Sequence, residues 1–311
     1  MSSQSEPEQG KALGAQTGQV LSVTELSQYV FCPRQFYLSK VLQLHRQPPE
    51  FVEGTLEHDA RRLLNEALCS AYIASQRDTT MLLHEAGNLI GKVLEYAKNI
   101  ALQQHPIFTK EIDRFVRELS YRFHQEERDR VRILTYNFTG ESSWIKRVQA
   151  LFPVENEFSV FSPRLGLRGR IDEVYERADG TLAIRDIKTA PLGFLFDDSN
   201  QIQLGAYTML LEDQALRRVV AASIYSSRSL AERSVVIDED LKKRVLDANE
   251  NVRRFLANPE LPKILSGPES VKCDVCFLRK ECKKLSDVDK ETSGIEALFN
   301  SHGKLSLFGD N

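Results

Sequence analysis

Two short segments in the middle of the chain place carboxylates and an amine at a spacing suited to phosphate chemistry. Alternate side chains of a strand share a face, so Asp186 and Lys188 would lie together at the end of Leu182–Lys188. The preceding segment, Gly169–Asp172, ends in a second carboxylate that a hairpin would bring close to Asp186. Two adjacent carboxylates favour a hard cation such as Mg²⁺ or Mn²⁺ between them. The pattern predicts metal-assisted hydrolysis, with Lys188 orienting water or stabilising phosphate charge; a solvated surface ion pair is the alternative.

Two further motifs could contribute to the same site. Gly54 and His58 form a Gly-x-x-x-His pattern entering a predicted helix, where His58 would add a nitrogen ligand. Gln203 and Tyr207 lie four residues apart on another predicted helix and therefore share a face. The alternatives are a histidine on a helix surface and a tyrosine in the core.

Four of the five cysteines form a set with metal-ligand spacing, although they come from opposite ends of the chain. Cys273, Cys276 and Cys282 follow a Cys-x₂-Cys-x₅-Cys pattern, and Cys32 is the candidate fourth ligand. We call these four residues the cysteine clasp. Four thiolates bind a structural zinc or an iron–sulfur cluster. Cys69, alone in an apolar stretch, is predicted to be a core residue.

The composition limits the classes of protein to be considered. The chain has 311 residues, 41% of them hydrophobic and 27% charged, with a formal net charge of -3. This charge argues against a globally basic nucleic-acid coat, but it permits a local basic groove. No apolar run approaches the length of a membrane span, and the N-terminus lacks the apolar region of a signal peptide. We therefore expect a cytoplasmic protein that does not contact membranes.

The pattern of apolar residues predicts the elements that position these motifs. Residues 1–20 are polar and predicted to be disordered, and Ser22 with Glu25 forms a capping box at the start of a helix. Helical periodicity extends over about 54–136. After Trp144 the predicted strands are 154–161, 167–175, 181–188, 219–225 and 234–237, the predicted helices are 199–212 and 238–257, and the turn Ala178–Gly180 predicts a hairpin.

The order of these motifs resembles the RecB-like nucleases of the PD-(D/E)xK superfamily, and among them the CRISPR-associated Cas-four type, which has a four-cysteine iron–sulfur clasp. The AddB nuclease domain is a relative with the same clasp. The resemblance covers about residues 22–285 and implies an α/β fold with a restriction-endonuclease-like mixed sheet at its core. It implies one nuclease domain over 21–285, with a helical insertion at about 54–136, the sheet core at about 150–237, and a C-terminal iron–sulfur segment.

The resemblance also implies roles for individual residues. The metal ligands would be His58, Asp172, Asp186 and the backbone carbonyl of Ile187, and Lys188 would be the catalytic lysine. Gln203 and Tyr207 would contact DNA or steady the site. The [4Fe–4S] cluster would be held by Cys32, Cys273, Cys276 and Cys282. Glu155 or Glu157 is a further acidic candidate, which we leave outside this set.

The implied activity is Mn²⁺- or Mg²⁺-dependent hydrolysis of DNA, as an exonuclease acting on single-stranded ends. The process would be CRISPR spacer acquisition, with integrase proteins as partners, or DNA replication and repair. The alternative is a non-catalytic iron–sulfur subunit that binds DNA as a scaffold. Local positive charge would bind the substrate through Arg61, Arg62, Arg168, Arg170 and Arg185. A solvated helix face is the alternative for the arginines of the helical insertion.

The polar tail over 286–311 contains one apolar motif. Lys304–Phe308 resembles the peptide that binds the bacterial sliding clamp, with Leu305, Leu307 and Phe308 as the apolar residues. Such residues in a polar tail would fill a pocket on a partner, and a tail folded back on its own domain is the alternative.

Overall fold

The computed structural model describes residues 19–44, 48–75, 78–136, 143–190 and 197–291, with side chains up to residue 285. Most of the predicted N-terminal tail and the predicted clamp-binding residues Leu305, Leu307 and Phe308 lie outside the described residues. Within the described ranges, no helix has the length and apolar character that crossing a membrane requires.

A six-stranded mixed sheet forms the centre of the fold. Its strands are β1 (Leu21–Ser22), β2 (Glu155–Ser162), β3 (Leu167–Glu176), β4 (Leu182–Lys188), β5 (Val219–Ser226) and β6 (Ala231–Val235). The strand order is β1-β3-β4-β5-β6, and β2 pairs with β3 as well. The β3–β4 pair is antiparallel and β4–β5 is parallel, so the predicted hairpin and the predicted mixed sheet are confirmed. Strand β6 differs from the sequence prediction, because it begins three residues earlier.

Helices cover both faces of this sheet. Those flanking the sheet core are α1 (Val23–Phe31), α7 (Asp198–Ala215) and α8 (Glu239–Ala257), and those of the second layer are α3 (Pro49–Ala74), α4 (Thr79–Gln104), α5 (Thr109–Tyr136) and α6 (Trp144–Leu151). The short α2 (Pro33–Phe36) follows α1, and α9 (Arg279–Glu291) ends the described chain. The apolar residues of the sheet, α1, α7 and α8 form one core, and those of α3–α6 form another. The mixed sheet between helical layers agrees with a restriction-endonuclease-like fold.

Local sequence explains where two of these helices begin. The predicted capping box of α1 is present, because Ser22 Oγ accepts from the amide of Glu25 and Glu25 accepts from the amide of Ser22. The predicted helix entry at Gly54 is wrong. Helix α3 begins at Pro49, a residue suited to a first helical turn because it has no N–H to leave unpaired. His58 therefore lies inside a continuous helix.

A buried polar network joins the α3–α6 layer to the sheet. Arg61 binds Glu57 and Glu126, whereas Arg122 donates to Ser227 on the sheet side at 2.7 Å. Asn65 of α3 donates to Glu173 of β3 at 2.9 Å. Because isolated buried charges are costly, these pairs fix α3 against the sheet and so fix the position of His58.

Candidate functional site

Three side chains from three different elements converge beside the sheet. His58 of α3, Glu157 of β2 and Asp172 of β3 each offer a ligand atom, and these atoms all lie within 4.8 Å of one another. Nδ1 of His58 is 2.9 Å from Oε1 of Glu157 and 3.4 Å from Oδ1 of Asp172. The carboxylates are mostly buried, with 11% and 12% of their side chains exposed. We call these three residues the acidic triad.

An irregularity in strand β2 brings Glu157 into this triad. Its neighbours Asn156 and Phe158 pair with Glu173 and Ile171, which places Glu157 opposite Asp172 across the antiparallel ladder. Glu157 itself has φ of 52°, in the left-handed region that residues other than glycine rarely occupy. Such strained backbone collects at functional sites, where it re-aims a side chain.

Asp172 lies where strands β3 and β4 separate. The paired residues of this ladder end at Glu173 and Arg185, and beyond that point the carboxylate of Asp172 accepts a 2.6 Å hydrogen bond from the amide of Ile187. The side chain thus takes the place of a ladder partner and is held firmly between the strands. Its other oxygen is the one that approaches His58.

Asp186 and Lys188 sit next to the triad on β4 and are held by helix α7. Nζ of Lys188 is 2.9 Å from Asp186 and donates to the side-chain oxygen of Gln203 at 3.0 Å. The amide of Gln203 donates to Asp186 at 3.1 Å and to the hydroxyl of Tyr207 at 3.3 Å. The predicted shared face of Asp186 with Lys188, and that of Gln203 with Tyr207, are therefore present. These contacts orient Asp186 towards the lysine.

Burial and neighbouring charges shift the pKa values of His58, Asp172 and Lys188 in this site. Burial by itself lowers the pKa of His58, but Asp172 and Glu157 outweigh it and raise this pKa to about 9. Burial raises the pKa of Asp172 to about 7; His58 opposes this effect, and the charge of Asp186 adds to it. The pKa of Lys188 is raised because Asp186 and Asp172 outweigh the effect of burial, so its ammonium is retained. Carboxylates placed this close to one another are a donor set that Mg²⁺ or Mn²⁺ fits.

The arginines that were predicted to bind substrate fall into two groups in the structure, those paired with carboxylates below the surface and those exposed on β3. Arg61 and Arg185 are committed to buried or partly buried carboxylates, Arg61 to Glu57 and Glu126 and Arg185 to Glu173. This prediction is wrong for both, because each guanidinium group is taken up by carboxylates of its own layer, those of α3 and α5 around Arg61 and those of β3 and β6 around Arg185. Arg168 and Arg170 are exposed on β3, and Arg170 contacts Glu157 at 2.7 Å.

The cysteine clasp lines a single cavity of about 280 Å³. Cys32 caps helix α2 by accepting from the amide of Gln35 at 3.4 Å, and its own side chain is 9% exposed. The side chain of Gln35 donates to Cys276 at 3.3 Å, and Nε of Arg34 donates to Cys282 at 3.2 Å. All four cysteines have free thiols, as does Cys69, which packs against the α3–α6 core. Burial raises the pKa of the Cys32 and Cys276 thiols, and the donors aimed at sulfur oppose this effect.

Comparison with known proteins places these features in one family. A profile described as the PD-(D/E)XK nuclease superfamily matches residues 20–283. Among solved structures, the crystal structure of SSO0001 is similar at 14% sequence identity, with a TM-score of 0.26 and alignment over 81% of this chain and 93% of that chain. No curated protein matches the chain. Because the matched range includes the acidic triad, Asp186, Lys188 and most of the described residues, the chain belongs to the PD-(D/E)XK nuclease superfamily.

Proposed function

We propose that the protein is a metal-dependent DNA nuclease whose metal site consists of the acidic triad and Asp186. Membership of the superfamily implies nuclease chemistry, and the observation that supports this site is the convergence of His58, Glu157 and Asp172 beside the Asp186–Lys188 pair. The carbonyl of Ile187 would be a further oxygen ligand, since its own amide is bound to Asp172. When bound, Mg²⁺ or Mn²⁺ supplies Lewis acidity and lowers the pKa of coordinated water.

The residues of the chain would divide the remaining work. Asp172 and Asp186 neutralise the cation and position it against the scissile phosphate. Lys188 keeps its proton, because Asp186 and Asp172 raise its pKa, so it acts as a positive group that stabilises the charge developing on phosphate rather than as a base. Gln203 holds both Asp186 and Lys188, and Tyr207 supports Gln203. We therefore propose that Gln203 and Tyr207 act mainly by positioning Asp186 and Lys188, and that their contacts with DNA have a lesser role.

Single-stranded DNA ends are the proposed substrate, with exonucleolytic cleavage. We assign the protein to the Cas-four-like members of the superfamily on the order of its motifs and the clasp. The process would be CRISPR spacer acquisition beside integrase proteins, or replication and repair in the cytoplasm, where the tail residues Leu305, Leu307 and Phe308 would bind the sliding clamp. A non-catalytic scaffold subunit is the competing function, and an intact site with charge suited to a cation favours the enzyme.

We propose that the clasp holds a [4Fe–4S] cluster rather than zinc. Four thiolates fit either group. The Cys-x₂-Cys-x₅-Cys spacing and the Cys-Pro sequence at Cys32 resemble the cluster pattern of the Cas-four-like nucleases, which favours the cluster. The donors Gln35 and Arg34 would offset the negative charge of this group.

An anaerobic nuclease assay with Mn²⁺ tests the proposed function. The substrates are single strands labelled at the 5′ or the 3′ end, which also gives the polarity. We expect Asp186→Ala to lower the rate by at least about 100-fold, since even partners outside the ligand shell contribute about 10- to 100-fold. The matched control is Asp247→Ala, an exposed aspartate on α8, which should keep wild-type activity. Equal activity of wild type and Asp186→Ala would contradict the proposal.

A further inference from the structure

A groove of about 600 Å³ lies on the outer face of the sheet, next to the acidic triad. It is formed where β1, β3 and the edge strand β2 meet the start of helix α1. Its lining residues are Val20, Ser22, Thr24, Ser159, Phe161, Arg168, Arg170 and Gln214, with Val160 and Gly169 at its floor. The acidic triad does not use this groove, although the sequence led us to expect that Arg168 and Arg170 bind substrate.

The polar groups of the groove are suited to an anionic chain. Arg168 and Arg170 are exposed and two residues apart on β3, about 6.6 Å along the strand. Within the described part of the chain, Arg168 has no carboxylate within ion-pair distance, and none of the lining residues is acidic. Ser22, Thr24 and Ser159 add hydroxyl groups. This combination of cations and neutral donors suits a row of phosphates.

An aromatic ring lies beside the first of these arginines. Phe161 is 48% exposed and sits directly opposite Arg168 in the β2–β3 ladder. Side chains at opposed positions of an antiparallel pair are neighbours on one face. Grooves that bind single strands combine backbone-tracking cations with aromatic rings on which bases stack. An exposed phenylalanine next to a guanidinium group therefore favours a strand whose bases are unpaired.

Two chains of contacts connect the groove with the candidate metal site. On one side Arg170 contacts Glu157 at 2.7 Å, and Glu157 contacts His58 at 2.9 Å. On the other side Thr24 hydrogen-bonds to Tyr207, which is joined through Gln203 to Asp186. These contacts place the groove directly beside the candidate metal site, where it could receive the part of a strand that adjoins the scissile phosphate.

We propose that this groove binds the single-stranded DNA segment that adjoins the scissile phosphate. Arg168 and Arg170 contact successive backbone phosphates, and a base stacks on Phe161. This subsite rests on the proposed nuclease function, whose metal site it adjoins. It also gives the enzyme a physical reason to prefer single strands, because both faces of a base inside a duplex are already covered by neighbouring base pairs.

Fluorescence anisotropy without divalent cations tests the subsite apart from cleavage. The probe is a 5′-fluorescein-labelled oligo(dT) of about 12 nucleotides, within the range of a single-strand groove. Arg168→Glu should weaken binding by about tenfold and reduce the slope of log affinity against log salt by about 0.7, the value for one phosphate on a single strand. The matched control is Arg177→Glu, which makes the same charge change at an exposed residue directly after β3 and should bind as wild type.

Phe161 provides an independent arm of the test. Phe161→Ala should weaken binding by about 5- to 100-fold with an unchanged salt slope, whereas Phe161→Trp should retain it, since either ring stacks with a base. The side chains of Arg168 and Phe161 are both exposed, and unchanged melting temperatures would show that the variants are folded. Equal binding by Arg168→Glu and Arg177→Glu would overturn the subsite even if Asp186→Ala abolishes cleavage. If the wild type cleaves nothing but Arg168→Glu still binds more weakly than the wild type, the result would support the groove and contradict the nuclease.

Discussion

At the scale of single residues, protons and a metal ion compete for the same ligand atoms of the candidate site. In the metal-free protein, Asp172 and Glu157 raise the pKa of His58 to about 9, and burial raises that of Asp172 to about 7. A metal requires the imidazole without its proton and the carboxylate ionised, so binding releases protons wherever these groups hold them.

Mn²⁺ affinity should therefore rise with pH. Below both pKa values two protons must leave, and between about pH 7 and about pH 9 only the proton of His58 must leave. We expect affinity to increase up to about tenfold per pH unit in that upper range, measured by calorimetry in several buffers. His58→Gln should remove the proton that His58 releases; because His58 lowers the pKa of Asp172, the dependence that remains should extend above about pH 7. An affinity that falls as the pH rises would contradict this assignment.

Glu157 offers the sharpest mutational test at this scale. Glu157→Gln should lower Mn²⁺ affinity by about 10- to 100-fold, the range found for groups around a metal. Glu155→Gln is the matched control, because Glu155 lies two residues away on the same strand and is exposed. Calorimetric titration with Mn²⁺ measures both. Equal losses in the two variants would mean that β2 contributes only general negative charge.

Strand alternation predicted the pair Asp186 and Lys188, and the hairpin placed Asp172 near them. The same reasoning could not choose between Glu155 and Glu157, since residues two apart share a face. The choice depends on the left-handed backbone at Glu157, which a sequence pattern does not reveal. Likewise, the sequence did not show that Arg61 is committed to Glu126, because this partner lies 65 residues away. Glu173, in contrast, faces Arg185 directly across the predicted hairpin.

At the scale of elements, close packing of helix α7 on strand β3 positions Gln203 and Tyr207. A Cβ at Gly169 would lie 2.6 Å from Cε1 of Tyr207 and 3.1 Å from Cγ2 of Val23. Because Tyr207 is only 4% exposed, its ring has little room to move. The glycine thus permits the approach of α7 that brings Gln203 to Asp186.

Gly169→Ala should lower the free energy of unfolding by about 1–3 kcal/mol, as overpacking of a core does. Gly54→Ala is the control, because no atom lies within 4 Å of a Cβ built there in α3. Alanine in that helix should be neutral or stabilising by up to about 1 kcal/mol. Urea denaturation compares the two variants. A Gly169→Ala protein as stable as Gly54→Ala would show that α7 does not pack this closely.

Most element boundaries were predictable from periodicity and turn residues, and the helix from about 199 is an example of a close match. The start of α3 was not, since the glycine of the Gly-x-x-x-His motif suggested an entry point while Pro49 begins the helix. The pairing of β1 and β2 with the same strand β3 also depends on contacts between distant segments, which no local pattern contains.

At the scale of the whole molecule, the clasp would join the two ends of the fold. Cys32 lies between α1 and α2, and Cys282 lies in α9, so a bound group would close a loop of about 250 residues. By the chain-entropy account of a cross-link, such closure contributes about 5 kcal/mol. This would hold α1, which borders both the groove and Tyr207, against the C-terminal segment.

Cys32→Ala and Cys276→Ala should each give a colourless protein of much lower stability. Cys69→Ala is the control, because Cys69 packs in the α3–α6 core away from the clasp and should leave the brown absorbance intact. Absorbance at about 400 nm, typical of a thiolate-bound cluster, and thermal unfolding under anaerobic conditions measure the two effects. Full absorbance in both clasp variants would remove the cluster assignment.

The acidic triad and Asp186 are proposed to form one metal-binding site beside the sheet. Anomalous diffraction from crystals soaked with Mn²⁺ locates that site directly. We expect a manganese peak in contact with the carboxylates of Asp172 and Asp186, and we expect this peak to disappear in Asp186→Ala crystals. A protein that cleaves DNA with Mn²⁺ but shows its manganese peak away from these carboxylates would rule out this site.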